Sequence, residues 1–259
     1  MLDVFDHVGV AVSDLDGSLP FYELALAQLG YGEPYRGDWF YEWEDLAIGQ
    51  AGDDRPATRN LHLALAAPSR DAVDAWWRAM TAAGHPDEGA PGPRPQYSPT
   101  YYGAFVRDPD GNGVEAVYHG EPRPGENVLD HLWIRVRDLA ESRLFYETVA
   151  PTVGLRVRDG SPTRFHVTSG GRSFAVVRDD PVTENLHLAF PAPDLSAVEA
   201  FHRVALDAGF RDNGGPGERP EYHPGYYGAF VLDPDGNNVE AVYHGPHTRS
   251  APSVVLTSA

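Results

Sequence analysis

Cysteine is absent from the 259-residue chain. That excludes disulfides and thiolate metal ligands, and it fits the reducing cytoplasm, where the protein is expected to reside. Basic residues are scarce: 20 Lys and Arg stand against 38 Asp and Glu, a formal net charge of −18. Nucleic acid and anionic membranes both reward Lys/Arg patches, so neither is expected as a partner. No run of about 18 apolar residues is present, so no transmembrane helix is expected. The start, Met1 to His7, lacks a basic region followed by an apolar stretch, so no signal peptide is expected either. What the chain does have is length enough for two domains and an ordinary hydrophobic fraction of 42%.

The two domains are copies. An internal repeat runs with an offset of 124 to 125 residues. Asp6-His7-Val8 lines up with Asp130-His131-Leu132, Phe21-Tyr22-Glu23 with Phe145-Tyr146-Glu147, and Asn60-Leu61-His62 with Asn185-Leu186-His187. The segments Tyr101 to Gly120 and Tyr226 to Gly245 differ at two of twenty positions. The expected division is a first domain at 1–120, a polar Pro/Gly linker at 121–127, a second domain at 128–245 and a mobile tail at 246–259.

Hydrophobic alternation predicts a strand over 4–12, with Val8, Val10 and Val12 on one face and His7, Gly9 and Ala11 on the other. Asp14 or Asp16 can cap a helix reaching about Leu29, closed by Gly30. Short strands are expected at 39–43 and 46–50. The pattern then restarts: a strand over Leu61 to Ala66, and a helix capped by Ser69 with Ala72, Val73, Trp76, Met80 and Ala83 on its apolar side. Strands at 102–107 and 113–118 follow, joined by the turn Asp108 to Asn112. Each half reads βαβββ twice. The histidines share strand faces with Gly or Ala, which suggests imidazoles projecting into a cavity, and Glu115 alternates in the same way with Val114 and Ala116.

His7, His62 and Glu115 in the first half, and His131, His187 and Glu240 in the second, are the candidate metal ligands. Two imidazoles and a carboxylate leave coordination positions open and suit Fe(II), Mn(II), Zn(II), Ni(II) or Co(II), one or two per chain.

These motifs (DHVGVAVSDL and DHLWIRVRDL, FYE, NLHLA, and DPDGN-x-VE) resemble the vicinal oxygen chelate superfamily over nearly the whole chain to Gly245. That superfamily includes glyoxalase I, extradiol dioxygenases, fosfomycin-resistance metalloenzymes and bleomycin-binding proteins. The resemblance implies an α+β fold of four βαβββ units in two glyoxalase/dioxygenase-like domains, each an open mixed β-barrel with helices outside. It also implies that the six residues above are the ligands. Glyoxalase I carries a fourth ligand, usually Glu, on a strand that here reads Leu46 to Gln50 and Ser173 to Val177, without Glu. Extradiol enzymes usually carry Tyr ten residues before the ligand Glu, where this chain has Phe105 and Phe230. The fosfomycin enzymes are half-length chains that dimerise. An internal imitation of that dimer would pair His7 with His187 and Glu240, and His131 with His62 and Glu115; the sequence leaves both pairings open.

Other candidates follow from differences between the halves. His223, where the first half has Ser98, can act as a general acid or base, as Glu115 and Glu240 can, or can be a solvated loop residue. Trp133 can stack on a substrate ring and Arg135 can hold an anionic group. Alternatively, both fill the second site and leave the roomier first half active. Tyr101 and Tyr226, like Tyr102 and Tyr227, line the cavity or pack the core. His119 and His244 are expected to be exposed, and the Pro/Gly stretches 89–95 and 214–220 to be lids or connectors. The expected activity is metal-dependent chemistry on a small chelating organic molecule, of lyase, isomerase or dioxygenase type, by a monomer (an internal pseudo-dimer) or a homodimer. The alternative is a non-catalytic binder of an antibiotic or metabolite.

Overall fold

The structure is a computed structural model that describes residues 3–121, 127–169 and 172–245, together with the backbone of 247–250 and 255–258. The expected linker and tail thus lie largely outside the described residues. Within the tail, His247–Ser250 and Val255–Ser258 form two short paired strands. No described helix is long and apolar enough to cross a membrane.

In the first half the elements are β1 (His7–Val12), α1 (Leu15–Gln28), β2 (Tyr35–Arg36), β3 (Phe40–Trp43), β4 (Leu46–Gln50), β5 (His62–Ala66), α2 (Arg70–Ala82), β6 (Asp87–Pro93), β7 (Tyr102–Arg107) and β8 (Gly113–Tyr118). The second half repeats them as β9 (Leu129–Val136), α3 (Leu139–Val149), β10 (Arg156–Ser161), β11 (Arg164–Ser169), β12 (Arg172–Arg178), β13 (His187–Pro191), α4 (Leu195–Asp207), β14 (Arg211–Glu218), β15 (Tyr227–Leu232) and β16 (Asn238–Tyr243). This is βαβββ four times over.

The helices begin where oxygen-bearing side chains can accept orphan N–H groups. Asp14 accepts from Gly17, Ser69 from Ala72, Asp138 from Ala140 and Glu141, and Asp194 from Ala197. Gly30 and Gly84 follow α1 and α2 at φ of 94° and 90°, a region that costs glycine little. Of the side chains expected on the apolar face of α2, Val73, Trp76 and Met80 are fully buried.

Two compact units emerge, divided elsewhere than the sequence repeat. A split unit takes the chain up to Gly9 together with Trp133–Ser250, and a continuous unit takes Val10–Leu132. In the split unit, the start of β1 pairs antiparallel with β13 (His7 opposite Ala189, Gly9 opposite His187). The order continues through parallel β16 to antiparallel β15 and β14. The later part of β9 pairs in parallel with β12, which β11 and β10 extend. Helices α3 and α4 cover these strands over a core that includes Phe145, Tyr146, Phe165, Phe174, Phe190 and Phe201. The continuous unit has the matching orders β9–β5–β8–β7–β6 and β1–β4–β3–β2, formed by the start of β9 and the end of β1, with α1 and α2 packed together. Among the described residues β2, β6, β10 and β14 each pair on one side only, so the sheets are open.

The Pro/Gly stretches expected as loops differ in structure. Most of each lies in an edge strand, β6 or β14, with register shifts at Asp87/Gly89 and Gly89/Gly92 and, in the second, at Asp212/Gly214 and Gly214/Gly217. Proline and glycine are tolerated there because an edge strand needs a partner on one side only, and bulges absorb the missing N–H.

Candidate metal centres

Both turns Asp108–Asn112 and Asp233–Asn237 act at a distance. Asp108 Oδ1 accepts the N–H groups of Asp110 and Asn112, which closes the turn around Gly111 at φ 88°. Asn112 Oδ1 then accepts the N–H of Leu61, the residue before His62. Asn237 does the same for Leu186, the residue before His187. Asn60 and Asn185, at φ 59° and 58°, make the left-handed step into β5 and β13, a conformation that asparagine adopts more readily than most residues. Each candidate histidine on these strands is thus set by two asparagines, one local and one from the turn beside β8 or β16.

The six candidate ligands converge crosswise, the pairing that a dimer-like arrangement requires. His7, His187 and Glu240 come together in the split unit, and His62, Glu115 and His131 in the continuous unit, with ligand atoms within 4.8 Å of one another in each group. In the split unit His7 Nε2 lies 3.0 Å from His187 Nε2, and Glu240 Oε2 lies 3.1 Å from His187 Nε2 and 3.7 Å from His7 Nε2. In the continuous unit Glu115 Oε2 lies 3.0 Å from His62 Nε2 and 3.8 Å from His131 Nε2.

The donor set passes a test of fit for a divalent ion. Bonds of about 2.0–2.2 Å place adjacent ligand atoms roughly 3 to 3.5 Å apart, close to the spacings found. Glu240 Oε2 is buried and makes no hydrogen bond among the described residues, although two imidazole nitrogens face it. A carboxylate oxygen desolvated in this way needs a positive partner.

The surroundings orient each donor. Asp6 Oδ1 lies 2.9 Å from His7 Nδ1, and Asp130 Oδ1 lies 2.7 Å from His131 Nδ1. A proton on Nδ1 leaves the Nε2 lone pair directed at the centre. His187 Nδ1 meets the Asn238 side chain at 2.6 Å, where the first half has Gly113. Asn238 turns its amide nitrogen to that ring, while its oxygen accepts from the Asn213 amide at 2.9 Å.

Tyr101 and Tyr226, expected against substrate, are buried and donate to the glutamates, Tyr101 to Glu115 Oε1 at 2.7 Å and Tyr226 to Glu240 Oε1 at 2.6 Å. Burial first, and then the neighbouring glutamate charge, push both phenols well above their ordinary pKa, so they stay protonated donors. Gly103 and Gly228 leave room for these carboxylates. A Cβ on Gly228 would sit 2.6 Å from Glu240 Oε1, and one on Gly103 would overlap Glu115 Oε1. Sequence reasoning passed over both glycines, although each stands two residues after the tyrosine whose hydroxyl holds the same oxygen.

One expectation needs correction. His119 and His244 are part-buried rather than exposed, because His119 Nε2 bonds Asp130 and His244 Nε2 bonds Asp6. His223 is half-buried and bonds His244. Trp133 and Arg135 belong to the split unit. There Arg164 stacks over Trp133 at 5.6 Å, and Arg135 Nε lies 3.6 Å from Asp179. Tyr102 and Tyr227 reach Asp74 and Glu199 on the helices.

The model of the Glyoxalase/Bleomycin resistance protein/Dioxygenase superfamily matches residues 4–116 and again 128–241. The chain belongs to that superfamily. Among solved structures, glyoxalase I from Zea mays is similar at a TM-score of 0.67 and 21% identity, over 93% of this chain and 92% of that one. A glyoxalase/bleomycin resistance protein from Albidiferax ferrireducens is 27% identical over 44% of this chain and 97% of that one, at a TM-score of 0.41. No curated protein matches. Superfamily membership and the first of these likenesses establish the tandem α+β fold. The His/Glu groups are compatible with divalent metal.

Proposed function

We propose that each unit holds one divalent metal ion on two histidines and a glutamate, and that the protein is a metal-dependent enzyme acting on a small organic molecule that chelates the ion through two adjacent oxygens. The observation that carries this reading is the convergence of His7, His187 and the unbonded Glu240 Oε2 at 3.0 to 3.7 Å. The same geometry recurs at His62, Glu115 and His131.

Bound at these sites, a divalent ion supplies Lewis-acid polarisation of substrate oxygens and a template for their orientation. The chain's own residues prepare for it. Asp6 and Asp130 hold the Nδ1 protons of His7 and His131. Tyr226 and Tyr101 pin one oxygen of each glutamate and leave the other for the ion. Phe105 and Phe230 sit opposite Glu115 and Glu240 in the strand register, and their rings lie 6.1 and 6.3 Å from those of His62 and His187. They close one side of each centre with apolar surface and offer no proton there. Among the described residues each group has three members, so no fourth carboxylate stands by as an additional ligand or base. That weighs against typical glyoxalase I chemistry and favours reactions in which the substrate supplies its own acidic proton or meets a second reactant at the ion.

Metal content measured by elemental mass spectrometry, followed by a screen of vicinal diols, hydroxy ketones and catechols with and without added metal, tests the reading. Two ions per chain and metal-dependent product support it. Ligand affinity without metal or product would establish a non-catalytic binder instead.

A further inference from the structure

The edge strands β6 and β14 are each followed by an arginine that lies over the apolar wall of a candidate centre. In the continuous unit the Arg94 guanidinium sits over the Phe105 ring at 5.4 Å, and that ring lies 6.1 Å from the His62 ring. In the split unit Arg219 sits over Phe230 at 5.5 Å, and Phe230 lies 6.3 Å from His187. Strand register puts glycines beside each guanidinium. Gly89 stands opposite Phe105 and Gly92 opposite Gly103, as Gly214 does to Phe230 and Gly217 to Gly228. A Cβ on Gly92 would come 2.9 Å from Arg94 Nη1, and one on Gly217 would come 2.8 Å from Arg219 Nη1. A side chain at either position would drive the guanidinium off the ring.

Backbone carbonyls hold the two cations without neutralising them. Arg94 donates from Nη2 to Ala90 at 2.9 Å and from Nη1 to Pro93 at 3.3 Å. Arg219 donates from Nη2 to Gly215 at 2.9 Å and from Nη1 to Glu218 at 3.1 Å. Among the described residues neither arginine forms an ion pair, although the chain carries a formal net charge of −18. The acids of β6 are engaged elsewhere: Asp87 accepts from Trp77 Nε1, and Glu88 pairs with Arg107. Both arginines are half-buried, so a ligand can reach them.

We propose that Arg94 and Arg219 are anion-binding residues, one for each centre, and that the substrate carries a carboxylate at the end remote from its two chelating oxygens, a reading that rests on the proposed function and narrows its substrate class. A guanidinium offers five N–H donors in a planar fork. Two serve carbonyls in each arginine, and the others are left for a carboxylate, which can take two of them side by side. The phenylalanine beneath attracts the cation to its face and fixes the direction of the fork. A flat molecule that chelates beside Glu115 and lies along Phe105 meets Arg94 at its far end. A compact diol is too short to do so. One cation in acidic surroundings matches a singly charged carboxylate better than a doubly charged phosphate.

Two probes of one shape separate charge from chelation. 3,4-Dihydroxybenzoate and its neutral amide, 3,4-dihydroxybenzamide, are titrated calorimetrically into Zn(II)-loaded protein. Wild type should bind the benzoate about 10- to 100-fold more tightly, the worth of hydrogen bonds to a charged group. Arg94→Gln with Arg219→Gln should bring the benzoate down to the level of the amide, and Arg94→Lys with Arg219→Lys should restore part of the preference. A packing role alone would weaken both compounds together. Equal binding of the two probes by wild type would overturn the anion site and leave the metal reading standing. Should the protein take up no Zn(II), the metal reading fails, and NMR of the arginine Nε–H groups in metal-free protein decides the anion site. Benzoate, and not benzamide, should then shift Arg94 and Arg219 saturably, while Arg36, already paired with Glu23, stays in place. No shift, or equal shifts at all three, would overturn the proposal.

Discussion

Crosswise convergence predicts a particular pattern of metal loss in double variants. His7→Ala with Glu240→Ala removes two of the three ligands of one centre and leaves His62, Glu115 and His131 intact. A chain binding two ions should then bind one. His7→Ala with Glu115→Ala changes the same number of ligands, both in one sequence half, but strikes both centres and should bring the chain close to zero. Ligand atoms 3.0 to 3.8 Å apart make the ligands within each centre depend on one another, because no other described acid or histidine joins either group. Equilibrium dialysis against Zn(II) followed by elemental mass spectrometry reads the stoichiometry directly, and circular dichroism checks that each variant is folded. Retention of one ion by His7→Ala/Glu115→Ala, with loss of both by His7→Ala/Glu240→Ala, would refute the pairing. It would mean that ligands assemble within each sequence half.

Gly228→Ala should displace the Glu240 carboxylate by its Cβ and lower the metal affinity of the split unit while leaving the other site alone; competition with a chromogenic chelator measures this. Tyr226→Phe leaves Glu240 Oε1 buried without its donor and should cost about 1–3 kcal/mol in urea denaturation of the metal-free protein. Burial raises the Asp233 carboxyl to about 6, against the hydrogen bonds of Asn237, so the folded state holds that proton more tightly than the unfolded chain, where it leaves near pH 3.9. The contribution is full below about pH 4 and is lost as pH rises through about 6, to the order of 3 kcal/mol. Carbon-detected NMR of the Asp233 carboxyl gives the midpoint, and an ordinary carboxylate value would refute it.

Much of this architecture can be read along the chain, because alternation and caps are local. The residues from Leu46 to Gln50, Tyr102 to Arg107 and Gly113 to Tyr118 form strands over the predicted spans, and Ser69 caps α2. The edge strand β6 eluded prediction because Asp87–Pro93 carries two glycines and two prolines, a turn composition in isolation. Its strand state comes from pairing with β7. All six candidate ligands stood out by their spacing, but which histidine joins which glutamate depends on contacts between the two sequence halves, such as His7 with His187. Identical motifs in both halves cannot encode that choice. The roles of Gly103 and Gly228 were hidden for a related reason. A glycine inside a strand signals that something comes close, and only the folded chain shows that it is the glutamate oxygen.

Crosswise assembly also changes what the duplication means as an inheritance. A gene for one half alone would carry His7, His62 and Glu115, ligands that belong to two different centres, and would complete neither by itself. In a symmetric pair of half-length chains, any substitution near one site must appear in both. Fusing the copies removed that obligation: Ser98 and His223, or Gly113 and Asn238, can now differ, so one centre is free to acquire a new setting while its twin keeps the old one.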